Sequence, residues 1–147
     1  MAKPLLRGHF HQAMFFISLG GCALLVLKTD SPHEFISTLI YTFGVLTMFG
    51  VSALYHRITW KPSARLLMKR FDHAAIYLMI AGTFTPISIL ALPESSATRL
   101  LISIWAVAVL GILQSIFFVN LPKWMSSILY LFAGYMILPY ILSGPFV

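Results

Sequence analysis

Charge is what this sequence has least of: charged side chains make up 10% of the 147 residues, and only four residues are acidic. Soluble domains carry about a quarter charged residues. A hydrophobic content of 59% in so short a chain therefore excludes an ordinary soluble fold. Cysteine is almost missing. The single Cys22 sits inside an apolar run, which excludes an internal disulfide framework and a cysteine metal cluster. Leu19-Gly20-Gly21-Cys22 has the form of a bacterial lipoprotein cleavage box behind a basic start. Ala23 to Leu27, however, continue the apolar run where a cleaved lipoprotein would turn polar, so the first helix is expected to stay in the mature protein. There is no internal repeat and no low-complexity tract.

What fills the chain is apolar segments of membrane-spanning length. A bilayer core needs roughly 20 apolar residues per helix, and five segments meet that measure at about 10–27, 34–56, 71–92, 97–119 and 124–142. The expected fold is an all-α integral membrane protein, one transmembrane domain over residues 1–147. Proline and cap-forming residues separate the spans at Lys28-Thr29-Asp30-Ser31-Pro32, at Pro93-Glu94-Ser95-Ser96 and at Asn120-Leu121-Pro122-Lys123. The basic stretch 57–70 reads as a loop.

Alternating spans put Lys3, Arg7, Arg57, Lys61, Arg65, Lys69, Arg70 and Lys123 on one side and only Lys28 and Arg99 on the other. By the positive-inside rule the N-terminus and the 57–70 stretch face the cytoplasm of a bacterial inner membrane. The net charge of +6 is then accounted for by topology and anionic lipid, with no call for nucleic acid. Trp60 and Trp124 fall at segment ends, where interfacial anchors belong.

Within the spans, Ser103, Val107, Gly111, Gln114 and Ser115 form one stripe on the fourth helix, read as a packing seam toward other helices. Pro86 and Pro139 are expected to kink their helices, with Thr83 and Thr85 near enough to satisfy freed carbonyls.

Ionisable groups near a membrane core are costly and so are functional candidates. Ser52 and His56 lie four residues apart on one helical face, and Asp72 opens the next, antiparallel helix at the same depth. An imidazole that binds zinc, a carboxylate that orients a metal-bound water and a hydroxyl that donates to an oxyanion are the parts of a metal-assisted hydrolase. The same residues also suit the helix dipole, an imidazole at a C-terminus and a carboxylate at an N-terminus, and spacing leaves both readings open. His73 reads as interfacial, His9 and His11 as facing water or headgroups, and His33 as uninvolved.

The segments Ser52-Ala-Leu-Tyr-His56-Arg57 and Phe71-Asp-His-Ala-Ala-Ile-Tyr-Leu-Met-Ile-Ala-Gly-Thr-Phe-Thr-Pro86 resemble the two signature stretches of the haemolysin III family, which is grouped with the progestin and adipoQ receptors and, more distantly, the alkaline ceramidases. The resemblance runs from about Tyr41 to Gly134 and includes Trp105 and Gly111. It implies a seven-helix bundle with a cytoplasmic zinc site: His56 as a metal ligand, Asp72 holding the metal-bound water, Ser52 as the oxyanion partner, and an H-x-x-x-H pair on the last helix. This sequence has no H-x-x-x-H and is expected to be a short form lacking the last two helices. His9 or His11 are the residues that would stand in for the absent pair. Three functions follow as expectations: a zinc-dependent hydrolase of lipid amides or esters with an incomplete site, a membrane-perturbing or pore-forming cytolysin, or an inactive membrane module. The partners implied are membrane lipids and a second copy or another subunit supplying further helices.

Overall fold

The computed structural model describes residues 5–118, 120 and 122–142. The chain forms α1 (Leu5–Leu27), α2 (Pro32–Arg57), α3 (Pro62–Ala91), α4 (Glu94–Phe117), α5 (Lys123–Tyr135) and the short α6 (Leu138–Leu142). Successive helices pack side by side as an antiparallel series, α1 on α2, α2 on α3 and α3 on α4. The first four are long and apolar enough to cross a membrane, and the segment Trp124–Tyr140 is a shorter apolar one. Large apolar side chains on their outer faces, Phe10, Phe16, Phe43, Ile102 and Leu110 among them, are exposed. Such a continuous apolar surface is suited to lipid.

Local chemistry sets the boundaries. At the α1–α2 turn the Ser31 hydroxyl accepts from the Glu34 amide at 3.2 Å, and the Glu34 carboxylate accepts from the Asp30 amide at 2.9 Å. Pro32 occupies the first turn, where no amide donor is needed. Three boundaries differ from the sequence expectation. α1 begins at Leu5 rather than near residue 10, so His9 and His11 lie within it. Most of the stretch 57–70 is helix, not loop: α3 starts at Pro62, and the connection is only 58–61. Pro62 is a favourable first residue and Ala64, Leu66, Leu67 and Met68 are good helix formers. Thirty residues span about 45 Å, longer than a hydrocarbon core of about 30 Å, so a membrane-spanning α3 has the length to carry its basic first turns outside the apolar core. The fifth span, expected as one helix, breaks after Tyr135 and resumes at Leu138. Pro139 has no amide to donate and its ring crowds the carbonyl four residues back, at Tyr135.

Pro86, by contrast, stays inside α3. Thr83 and Thr85 donate to the carbonyls of Met79 and Ala81, both at 2.8 Å, so neither hydroxyl is used on the Gly82 carbonyl that the proline leaves without its amide partner. On α4 the buried row is Ala97, Leu100, Ile104, Ala108, Gly111 and Ser115. The predicted stripe is therefore correct at Gly111 and Ser115 but rotated toward the half-exposed side at Ser103 and Val107.

The closest helix contact is between α2 and α3. A methyl group at Gly44 would stand 3.0 Å from the Leu78 carbonyl oxygen, and one at Gly82 would stand 3.1 Å from that of Ile40. Backbone lies on backbone there, the approach that small residues permit between membrane helices. A second cluster joins α3, α4 and α5 through Tyr77, Ala81, Ile104, Ala108 and Ala133.

The antiparallel order gathers the start of α1, the end of α2, the start of α3, the end of α4 and the start of α5 at one end. Arg7, Arg57, Lys61, Arg65, Lys69 and Arg70 all lie there. Three of the four acidic residues, Asp30, Glu34 and Glu94, lie at the opposite end. The fourth is Asp72.

Candidate functional site

At the basic end, the last turn of α2 carries His56 and an early turn of α3 carries Asp72. Because the two helices are antiparallel and joined by a short connection, the side chains meet: His56 Nε2 and Asp72 Oδ2 are 4.0 Å apart, with 9% and 13% of the side chains exposed. Gly8 of α1 closes the other side of the histidine, since a methyl group there would stand 3.0 Å from His56 Cβ. The Tyr55 ring meets the imidazole edge-on at 4.8 Å between centroids. Both members of the pair line a cavity of about 690 Å³.

The wall opposite the pair is polar and comes from α4 and α5. The Tyr77 hydroxyl donates to Gln114 Oε1 at 3.2 Å, and Gln114 Nε2 donates to the Ser126 hydroxyl at 3.4 Å. The Tyr130 hydroxyl donates to the His73 carbonyl at 3.5 Å, and its ring lies 4.6 Å from that of Tyr77. Gln114, Ser115, Ser126, Ser127, Tyr130 and His73 all face the same cavity, as does Arg7 from α1. A space this size, lined by hydroxyls, an amide, an imidazole–carboxylate pair and a guanidinium, is suited to a polar headgroup entering from the membrane surface.

Ser52 is buried on α2 one helical turn from His56, and the cavity lining does not include it. His73, expected at the interface, lines the cavity. His11 packs its ring edge-on against Phe49 at 5.6 Å, His9 is exposed, and neither lines the cavity. His33 lies at the far end, in the first turn of α2. Sequence reasoning missed Tyr77 and Tyr130 and treated Gln114 as packing. Gln114 carried the only available signal, since an amide inside an apolar helix needs polar partners.

A profile of the family described as haemolysin-III related matches residues 1–146. The chain belongs to the haemolysin III family. It is 34% identical over 108 residues to a protein named Hemolysin-3 homolog of Bacillus subtilis (strain 168), covering 74% of this chain and 50% of that one. It is also 34% identical over 125 residues to Hemolysin-3 of Bacillus cereus, covering 83% and 57%. A human relative, Monocyte to macrophage differentiation factor, is 32% identical over 80 residues, covering 52% of this chain and 34% of its own. The chain thus spans about half the length of its bacterial relatives. No solved structure matches it. Family membership and the four long apolar helices make it a multi-pass membrane protein.

The family resemblance raises zinc, and the donor set can be compared with what zinc requires. A catalytic zinc typically takes three protein ligands and keeps a fourth position for water. The described residues bring His56 and Asp72 together but contain no group of three or more His, Cys, Asp or Glu able to hold a metal ion. These residues alone do not fit a catalytic zinc.

Proposed function

We propose that this chain is a bacterial inner-membrane protein whose basic end faces the cytoplasm and whose polar cavity is part of a hydrolase site for lipid esters or amides. The observation that carries this reading is the meeting of His56 and Asp72, 4.0 Å apart, in a polar cavity at the membrane surface. At 4.0 Å the two groups are at ion-pair rather than hydrogen-bond distance, and a modest approach of the carboxylate would orient the imidazole as a base that takes a proton from an attacking water. Gln114, Ser126 and Ser127 offer donors and acceptors to a headgroup, and Arg7 offers charge to a phosphate.

Zinc enters as a separate expectation, an ion held only where a further donor, from a second copy or another subunit, joins His56 and Asp72. Zinc content that is equal in purified protein and in His56→Ala would remove zinc from the reading. The hydrolase itself is tested by incubating the protein with vesicles of bacterial lipid and following released fatty acid by mass spectrometry. Release is expected to fall at least a hundredfold in His56→Ala, the usual size of an acid–base contribution. Equal release from both proteins would contradict the assignment.

The name of the Bacillus cereus relative, Hemolysin-3, supports a second reading as a membrane-perturbing protein. It requires dye release from intact vesicles that His56→Ala leaves unchanged.

A further inference from the structure

On the other side of α2 from the His56 cavity, a groove of about 690 Å³ runs between α1 and α2. Its α2 wall includes Leu46, Gly50, Leu54 and Arg57, and its α1 wall includes Phe15 and Phe16. Gly50 shapes it: a methyl group there would stand 3.1 Å from the Phe15 ring, so that ring lies directly on the α2 backbone. Polar side chains in the lining are limited to Gln12, Thr47 and Arg57, and no acidic residue is among them.

We propose that this groove binds an anionic phospholipid from the leaflet at the basic end, with an acyl chain along α2 and the phosphate on Arg57. Length supports a lipid as the occupant. From Leu46 to Arg57 the groove follows eleven residue steps of α2, about 17 Å at the α-helical rise, close to the roughly 15 Å of hydrocarbon in one leaflet. Its apolar part therefore runs from the surface to about mid-membrane. Charge selects the headgroup: Arg57 stands at the surface end of the groove, at the end of the bundle where Arg7, Lys61 and Arg65 also lie. A guanidinium pairs with a phosphate through paired hydrogen bonds, and a net-negative headgroup adds long-range attraction to this basic end. The groove residues are distinct from the His56–Asp72 pair, and the inference does not depend on hydrolysis.

The test is native mass spectrometry of the delipidated full chain in detergent, titrated with phosphatidylglycerol or phosphatidylcholine of matched acyl length. The first lipid bound is expected to favour phosphatidylglycerol. Arg57→Gln is expected to weaken phosphatidylglycerol binding about fivefold, as for loss of one basic contact at an anionic surface, and to weaken phosphatidylcholine less, because its phosphate loses the same hydrogen bonds but its neutral headgroup loses no net attraction. Val51→Phe, which fills the groove, is expected to weaken both lipids, and Arg99→Gln at the opposite end to weaken neither. Wild-type phosphatidylglycerol affinity in Arg57→Gln would overturn the proposal. So would wild-type affinity for both lipids in Val51→Phe, or a dimer with no bound lipid that Val51→Phe dissociates.

Discussion

The α2–α3 pair and α5 are held by different forces. Between α2 and α3, Gly44 and Gly82 bring the main chains into contact, and Ser37 and Ser88 are completely buried. α5 meets α3 and α4 along a much shorter contact, made by Ala133 and a few polar links: Gln114 to Ser126, Tyr130 to His73, and the Tyr77–Tyr130 ring contact. Lipid gives apolar helices no hydrophobic reason to associate, so close van der Waals contact and hydrogen bonds must hold the bundle together. The contrast divides the candidate site. His56 and Asp72 sit on the tight pair, whereas much of the polar wall facing them depends on α5. The pair that would perform chemistry is fixed, and the surface that would recognise a headgroup is the more easily displaced.

Substitutions on the two halves should separate them. Gly44→Leu is expected to have the largest effect, because the added side chain meets the Leu78 carbonyl and Met79 Cα, backbone atoms that cannot move aside. A loss of about 1–3 kcal/mol in unfolding from detergent micelles is the usual scale of such overpacking. Gly134→Leu on α5, with no neighbouring atom within 4 Å of an added methyl, should cost nothing measurable in the same assay. Equal losses at both glycines would erase the contrast. Next in size, Gln114→Leu removes the partner of Tyr77 and of Ser126 and is expected to cost about 1 kcal/mol. Hydrogen exchange should quicken in α5 while α2 and α3 stay protected. Ser126→Ala removes one long hydrogen bond and should cost only a few tenths of a kcal/mol.

The parts legible in the sequence are those governed by local pattern. Apolar runs and their proline and serine breaks mark the number and order of the helices, and antiparallel alternation puts His56 and Asp72 at one depth. Charge misled at residues 62–70, because lysines and arginines were read as loop although an interfacial helix accommodates them. Pro139 was recognised as a disturbance, yet how sharply a helix breaks depends on neighbouring packing, and α5 has little. Tyr77 and Tyr130 were not legible. Their meeting depends on how α3 and α5 are rotated, which no spacing within either segment encodes. Gln114 was noticed, but its role required knowing that Tyr77 and Ser126 lie within reach.

The central claim is that His56 and Asp72 act as one unit, and a double-mutant cycle on lipid hydrolysis in vesicles tests it most directly. The account predicts that His56→Ala, Asp72→Asn and the double variant lose activity to nearly the same extent, because removing either residue disables the pair. Losses that multiply in the double variant, or full activity in either single variant, would contradict it.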